Sequence, residues 1–261
     1  MKKPDNYLEY NRDAWNHQVR NGNRWTVPFS DDVIEAAKKG QINLVLTPQR
    51  VVPPHWYAPK GSKVLGLASG GGQQGPVLAA AGYDVTIFDN SSAQLEQDRI
   101  MSEKFNLGIK TVQGDMADLT VFADETFDMI FNPCSTGFVP DVVKVYAEAA
   151  RVLKKGGIFM TGFIKPVYYL FDIKLAEKGI FTLKYKSPYS DLESLDESEL
   201  NFFLEQNEPV VFGHSMEAHI NGQLKAGLQF TEIMEDTWGE NNAADRYFPS
   251  FIAARAVKSF G

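Results

Sequence analysis

The stretch KVLGLASGGGQQG, at residues 63–75, decides the fold class of this chain. Its first half is an apolar strand pattern, and a helical pattern follows the glycines directly. Glycines between a buried strand and a helix let a ligand approach the backbone closely, and the free amides of such a turn point at that ligand. The glycines of this turn are Gly70, Gly71, Gly72 and Gly75.

An acidic residue one strand later indicates what the turn binds. Asp89 lies about 20 residues after Gly70 and ends the next predicted strand. A carboxylate there can accept hydrogen bonds from both ribose hydroxyls of an adenosine cofactor. Gly70, Gly72 and Gly75 also satisfy the dinucleotide pattern G-x-G-x-x-G, so an NAD(P)-dependent oxidoreductase is an alternative. A non-catalytic module that binds an adenosine cofactor is a second alternative.

Strand and helix patterns alternate outward from the glycines. Such alternation predicts a parallel sheet covered by helices on both faces. The last two strands have no crossover helix between them and should pair antiparallel. We therefore predict an α/β fold: a Rossmann-like, doubly wound, seven-stranded, mostly parallel sheet with an antiparallel last strand. The strands are predicted at 64–67, 85–88, 109–112, 127–131, 158–163, 230–235 and 251–257, and the main helices at 74–81, 92–105, 141–153 and 216–226.

Length and composition favour one domain at 1–261. Its 261 residues, 44% of them hydrophobic, can bury one sizeable core, and no Pro- or Ser-rich linker divides them. The aromatic-rich insertion is predicted to form a substrate lid over the carboxyl ends of the strands. The predicted parts are an N-terminal helical cap at 1–60, a cofactor-binding core at 61–164, the insertion after strand five at 165–211, and a C-terminal helix with the antiparallel strand pair at 212–261.

Composition also bounds the partners and the location. A formal net charge of −7 opposes tight binding to nucleic acid, which needs clustered Lys and Arg. The chain has one cysteine and no apolar run near the ~18 residues that span a bilayer, so we expect a cytoplasmic protein without membrane insertion. The four histidines lack metal-ligand spacing, which predicts no metal. We expect a monomer or a homodimer.

Five segments resemble, in the right order, the motifs of class I, Rossmann-like S-adenosylmethionine-dependent methyltransferases. The match spans residues 63–163 and is similar to the small-molecule type in the ubiquinone/menaquinone-biosynthesis-like methyltransferase domain family. The resemblance implies methyl transfer from S-adenosyl-L-methionine to a small molecule, with S-adenosyl-L-homocysteine as product. The segments are VLGLASGGG at 64–72, VTIFDNS at 85–91, GDMADL at 114–119, TFDMIFNP at 126–133 and EAARVLKKGG at 148–157.

The resemblance implies a role for each matching residue. The glycine-rich turn lies against the methionine part of the cofactor, Asp89 binds the ribose, and Asn90 lies beside the adenosine. Asp115 and Met116 hold the adenine, and Asn132 lies under the amino group of the methionine part. The predicted cofactor-binding residues are Ala68, Ser69, Gly70, Gly72, Gln73, Gln74, Asp89, Asn90, Asp115, Met116, Asn132 and Trp25.

Two positions depart from the family pattern. An acidic residue is common where this chain has Gly66, and a glycine is common at Ala68. The first departure removes a carboxylate that usually orders the loop or holds the amino group of the cofactor. Ser69, Gln73 and Gln74 are expected to substitute with neutral hydrogen bonds.

A general base is the least visible part of the sequence. His214, just before the last predicted helix, is the candidate catalytic residue, and His17 and His55 are further candidates. Cys134 follows a predicted buried strand, and we interpret it as a small apolar filler. Trp25, in the helical cap, is predicted to close over the cofactor.

Overall fold

The computed structural model, which describes residues 3–176, 178–239 and 242–260, is built around a central β-sheet. Its strands are β1 (Lys63–Leu67), β2 (Asp84–Asp89), β3 (Lys110–Gln113), β4 (Phe127–Asn132), β5 (Leu153–Ile164), β6 (Tyr189–Ser190), β7 (Phe212–Gly213), β8 (Leu228–Asp236) and β9 (Phe251–Lys258). Its α-helices are α1 (Tyr7–Arg20), α2 (Asp31–Lys38), α3 (Gln74–Ala80), α4 (Ser92–Phe105), α5 (Val142–Val152), α6 (Ile173–Ala176), α7 (Asp191–Ser194), α8 (Glu197–Glu205) and α9 (Met216–Lys225).

Seven strands form one sheet in the order β3-β2-β1-β4-β5-β9-β8. Strands β1 to β5 run parallel, and β9 is antiparallel to both of its neighbours. The predicted α/β fold, with its seven-stranded mostly parallel sheet and antiparallel last strand, is confirmed. Strand order reverses between β1 and β4, and ligands of such sheets bind at the carboxyl ends beside that point. The short pair β6 and β7 forms a separate sheet that the sequence did not predict.

Both faces of the large sheet are buried, which explains the continuous apolar runs of its inner strands. Side chains alternate between faces along a strand. Val64 and Ile87 therefore belong to one core, with residues of α2, α3 and α4. Leu65 and Phe88 belong to the core on the opposite face, with residues of α5 and α9. No helix in the described residues has the length and apolar character needed to cross a membrane.

Strand β5 is longer than its apolar pattern predicts. The helix predicted at 141–153 ends at Val152, and the chain enters the strand directly. Leu153 pairs with Phe127, but the next pair joins Ile158 to Met129, so the residues between them bulge out of the ladder. The sequence pattern did not predict this early start of β5, because residues 154–157 are two lysines and two glycines and not an apolar run.

The N-terminal helix and the insertion pack together beside the sheet. Asn6 caps α1 by accepting hydrogen bonds from the amides of Leu8 and Glu9. Further along α1, the side chain of Asn11 donates to Val210 O at 3.1 Å and accepts from Val210 N at 2.8 Å. The insertion has its own small core, against which Tyr7 and Tyr10 of α1 pack; its buried members are Tyr189, Leu195, Leu200, Leu204, Val210 and Phe212.

Candidate active site

A cleft opens at the carboxyl ends of β1, β2 and β4, beside the point where strand order reverses. Most of the predicted cofactor-binding residues meet there, although they come from four separate parts of the sequence. Those that line the cleft are Trp25, Ala68, Ser69, Gly70, Gln73, Gln74, Asp89, Asn90, Asp115 and Met116. Gly72 and Asn132 are the two that do not.

The amides of the glycine turn, residues 68–75, point into the protein. Gly70 N donates to Asp89 Oδ2, and Gly71 N donates to Asp98 Oδ2, both at 3.0 Å. A Cβ at Gly70 would lie 2.8 Å from Gln94 Cβ, so only glycine fits this closely over the side chains below. Two amides that a pyrophosphate-binding loop would offer to its ligand are therefore already bonded to carboxylates.

The glycine turn also makes room for the chain's own crossing segment, residues 24–29. A Cβ at Gly71 would lie 3.0 Å from Trp25 O, and one at Gly72 would lie 3.0 Å from Pro28 Cβ. Phe29 N donates to Gly72 O at 3.2 Å. Gly72 thus faces this segment and does not line the cleft, and its contact with the cofactor stays a prediction.

Gln73 fastens the crossing segment to the glycine turn. Its Nε2 donates to Arg24 O at 2.9 Å and to Val27 O at 2.8 Å. These bonds hold Trp25, whose side chain lines the cleft with the Arg24 guanidinium 4.2 Å from its ring centroid. The neutral side chain of Gln73 therefore helps to hold the crossing segment against the glycine turn. The sequence alone did not predict that the Asp98 carboxylate also holds the turn, through Gly71 N.

Asp89 stands at the end of β2 with both carboxylate oxygens anchored. Oδ2 accepts from Gly70 N, and Oδ1 accepts from Ser91 N at 2.9 Å. Each oxygen keeps acceptor capacity for a ligand. Burial raises the pKa of Asp89, against the effect of the surrounding amides. The neighbouring Asn90 donates from Nδ2 to Leu8 O at 2.8 Å, which holds α1 against this side of the cleft.

Asp115 and Met116 follow β3 and complete the cofactor side of the cleft. Asp115 Oδ1 accepts from Ala117 N at 2.9 Å, and Oδ2 lies 3.5 Å from the hydroxyl of Tyr7. Burial and the Asp115 carboxylate raise the pKa of Tyr7 to about 12. Tyr7 therefore stays a neutral hydrogen-bond donor at the edge of the site.

Asn132 is fully buried, and its side chain forms hydrogen bonds between neighbouring strands of the sheet. Its Nδ2 donates to Leu67 O and to Ser135 Oγ, both at 2.8 Å, and its Oδ1 accepts from Thr161 Oγ1 at 2.9 Å. Both amide hydrogens are engaged and the side chain does not line the cleft. Asn132 therefore joins β1, β4 and β5 at their carboxyl ends, and its place under the amino group of the cofactor stays a prediction.

His214 lies away from the cleft. Its ring is buried, and Nε2 donates to Thr136 O at 3.0 Å. Burial lowers the pKa of His214, which keeps the ring neutral. His214 thus does not line the cleft, and its catalytic role stays a prediction. His17 and His55 do not line the cleft either, and they pair with Asn21 and with a carboxylate of β8.

Cys134 lines the cleft as a thiol without nucleophilic character. Burial raises its pKa to about 12, and its backbone N donates to Leu46 O at 3.0 Å. This environment agrees with the apolar-filler interpretation. Among the described residues, no cluster of three or more His, Cys, Asp or Glu side chains could hold a metal ion.

The sequence alone did not predict a second side of the cleft, here called the acceptor wall. Trp238 and Phe251 meet edge to face, with ring centroids 4.5 Å apart. Trp238 Nε1 is buried and has no hydrogen-bond partner within the described structure. The acceptor wall consists of Val45, Leu46, Thr47, Pro48, Pro133, Cys134, Ile164, Trp238 and Phe251.

Two features place residues 45–48 in the acceptor wall. A Cβ on Gly162 of β5 would collide with the carbonyl of Leu46, so the segment can cross this strand only over a glycine. Asp236, at the end of β8, accepts from Thr47 Oγ1 at 2.8 Å and from the amides of Gln49 and Arg50 at 2.9 Å. A carboxylate far along the chain thus fixes the early segment over the cleft.

The insertion supports the acceptor wall from behind. No described residue of 165–211 lines the cleft, but the Tyr168 ring packs against Trp238 at a centroid distance of 5.6 Å. Closure of this segment as a lid stays a prediction.

The charges of the cleft select between cofactors. Asp89 and Asp115 line it, and no Lys, Arg or His does so among the described residues. A pyrophosphate would meet carboxylates and amides that are already bonded, whereas sulfonium and ammonium groups would be attracted. The fold and this cleft define a class I methyltransferase that uses S-adenosylmethionine.

Comparisons with known proteins agree with this class. A family model described as a methyltransferase domain matches residues 65–161. The uncharacterized methyltransferase YbaJ of Bacillus subtilis (strain 168) is 48% identical over 252 residues, which cover 96% of this chain and 98% of that protein. The chain belongs to this methyltransferase family.

Solved structures share the fold. An S-adenosylmethionine-dependent methyltransferase from Mesorhizobium loti superposes with a TM-score of 0.60 at 17% identity, covering 76% of this chain and 91% of that one. A 1,6-didemethyltoxoflavin-N1-methyltransferase from Burkholderia thailandensis, with bound 1,6-didemethyltoxoflavin and S-adenosylhomocysteine, superposes with a TM-score of 0.62 at 11% identity, covering 99% of this chain and 92% of that one. The chain described here, as a member of the methyltransferase family, uses S-adenosylmethionine as its cofactor.

Proposed function

We propose that this enzyme methylates a small, uncharged and largely apolar molecule that binds against the acceptor wall. The observation that carries the proposal is the composition of that wall, whose residues include no charged side chain. An ionic acceptor would lose hydration there without gaining a partner, at a cost of several kcal/mol. An apolar acceptor would gain about 25 cal/mol for each Å² that it buries.

The acceptor wall has the means to orient such a molecule. The rings of Trp238 and Phe251 offer flat apolar faces, and Trp238 Nε1 is an unused donor for one oxygen or nitrogen atom of the acceptor. Residues 45–48 belong to the same wall and are held in place over the cleft by the Asp236 carboxylate. The bound cofactor supplies a sulfonium methyl group that is already activated, so positioning for in-line displacement is the main task of the protein.

The acceptor wall offers no general base. Burial raises the pKa of Cys134 to about 12, and the hydroxyl of Thr47 donates to Asp236. We infer that the acceptor's nucleophilic atom either carries no proton to remove or loses it to water. We propose on the same grounds that the acceptor is not a nucleic acid, because no basic side chain among the described residues lines the cleft to neutralise phosphates.

Substitution in the acceptor wall tests the proposal. A panel of neutral, cationic and anionic aromatic and aliphatic acceptors is assayed by release of S-adenosylhomocysteine, with wild type, Trp238→Ala and the matched control Phe202→Ala, which removes an exposed ring of α8. Neutral acceptors should be preferred. Trp238→Ala should raise their KM about tenfold or more, with unchanged affinity for S-adenosylhomocysteine. Preference for a charged acceptor, or an unchanged KM in Trp238→Ala, would refute it.

A further inference from the structure

We propose that Asp98 is a positioning residue for cofactor binding. Its buried carboxylate holds the glycine turn in place of the carboxylate that the chain lacks at Gly66, and it releases a proton when the positively charged cofactor binds. The proposal rests on the use of S-adenosylmethionine and not on the identity of the acceptor.

Asp98 lies directly beneath the glycine turn. It is completely buried on α4, and its Oδ2 accepts from Gly71 N at 3.0 Å. Its Oδ1 is also buried and has no hydrogen-bond partner within the described structure. A Cβ at Gly75 would lie 2.9 Å from Oδ1, so the turn closes over both oxygens of the carboxylate. No ligand can reach Asp98 except through the turn that it supports.

The space beside Gly66 explains why the carboxylate comes from α4. A Cβ at Gly66 would collide with Ile87 Cδ1 and with Ser69 Oγ. The same Ile87 side chain lies 2.8 Å from a Cβ built at Gly75, so it fills the volume between the strand and the turn. An acidic side chain at Gly66 and the observed packing exclude each other, and Asp98 supports the turn from the opposite side.

The carboxyl groups of Asp98 and Asp89 lie beneath the same turn, and a negative charge on one opposes ionisation of the other. The two carboxylates hold successive amides of the turn, those of Gly70 and Gly71. Burial raises the pKa of Asp98 to about 8, and Asp89 adds to this effect, while the Gly71 and Gly72 amides and the nearby Arg99 oppose it. Asp98 is therefore protonated near neutral pH before the cofactor binds.

Other charged groups around α4 are engaged elsewhere. Helix α3, which packs against α4, has no titratable residue. The ion pairs on the neighbouring elements are Arg12 with Glu9 and Asp13 on α1, Arg99 with Glu96 on α4, Lys104 with Asp31 at the start of α2, and Lys110 with Asp84 between β3 and β2. Within the described part of the chain, Asp98 and Asp89 thus have no buried cation to offset them, and a positive charge in the cleft favours their ionised forms.

The sign of the linkage follows from the charge. A cationic ligand lowers the pKa of Asp98, so binding releases a proton and affinity rises with pH until Asp98 is ionised without ligand. S-adenosylmethionine has a sulfonium charge that S-adenosylhomocysteine lacks, and this charge also lowers the pKa of its α-amino group relative to that of the product. The difference in pH dependence between wild type and Asp98→Asn, measured with the same two ligands, therefore isolates the effect of Asp98 from the titration of the ligands.

The test compares wild type, Asp98→Asn, Asp98→Ala and the matched control Asp84→Asn. Calorimetry measures affinity for both ligands from pH 6 to 9, in two buffers of different ionisation enthalpy that report proton release. In wild type and Asp84→Asn, the preference for S-adenosylmethionine should grow about three- to tenfold across this range. Asp98→Asn retains an oxygen for Gly71 N and should lose this pH dependence.

Asp98→Ala removes the acceptor as well as the charge, and it should bind both ligands about tenfold or more weakly. The proposal is overturned if Asp98→Asn keeps the wild-type proton release and pH-dependent preference, or if a folded Asp98→Ala binds both ligands as wild type does. Because Asp98→Asn is isosteric, it decides the matter even if Asp98→Ala does not fold. These measurements need no acceptor, so they stand if the proposed acceptor class fails.

Discussion

Asn132→Ala should lower the stability of the protein and leave cofactor affinity nearly unchanged. The side chain makes three hydrogen bonds, to Leu67 O, Ser135 Oγ and Thr161 Oγ1, and is fully buried. A buried hydrogen bond contributes about 1 kcal/mol net, so their loss should cost about 3 kcal/mol. For a chain of this size each kcal/mol lowers Tm by about 2–4 °C, which gives a decrease of about 6–12 °C.

Urea unfolding and calorimetric titration with S-adenosylhomocysteine measure the two effects separately. Asp115→Asn is the matched control, because Asp115 lines the cleft and its replacement keeps an oxygen for Ala117 N. It should show the opposite pattern, with affinity reduced about tenfold and little change in stability. A stable Asn132→Ala protein that loses cofactor affinity would refute the argument, because Asn132 would then be a cofactor ligand and not a tie between strands.

Four further substitutions test the glycine turn, with a control in α3, and the buried His219 of α9. Ala68 has a φ of 47°, in the region that favours glycine, so Ala68→Gly should raise the unfolding free energy by about 0.5 kcal/mol. The control Ala80→Gly, within α3, should lower it by about 1 kcal/mol. Equal losses of stability in the two variants would contradict this argument. Gln73→Ala frees the crossing segment and should weaken S-adenosylhomocysteine binding about three- to tenfold, with faster quenching of tryptophan fluorescence by acrylamide; unchanged quenching would count against the tie. Burial lowers the pKa of His219 to about 3, so the free energy of unfolding should fall as pH drops below ~6.5, by up to ~1.4 kcal/mol per pH unit. His219→Gln should remove this dependence. If the variant lost stability as steeply between pH 6.5 and 5, His219 would not be the group that causes the loss.

The sheet and half of the cleft were predictable because their determinants are local. A buried strand that runs into glycines, followed by Asp89 at the end of the next strand, has few structural solutions, and both features lie in the cleft. The same kind of reasoning did not foresee how Gly72 and Asn132 pack against the chain itself. Spacing places a residue at the end of a strand or in a turn, but it does not tell whether a ligand or the chain itself occupies the adjoining space.

The acceptor wall was missed because it joins residues that are distant in sequence. Trp238 follows an edge strand and Phe251 begins the next, and neither has a motif that points to a cleft. The available signals were weak: Gly162 inside a buried strand indicates a close approach of backbone, and Asp236 at a strand end indicates a carboxylate that caps a loop. His214 misled in the opposite way, because a histidine before a helix has the same sequence signature whether it is buried or reactive.

The cleft is lined by Leu8 at one side and by Phe251 at another, although most of the chain lies between them. During translation, a nascent polypeptide that has emerged as far as β5 already contains the glycine turn and Asp89, but it lacks Trp238 and Phe251 of the acceptor wall. The acceptor wall is therefore complete only after the last strand of the sheet has inserted between β5 and β8.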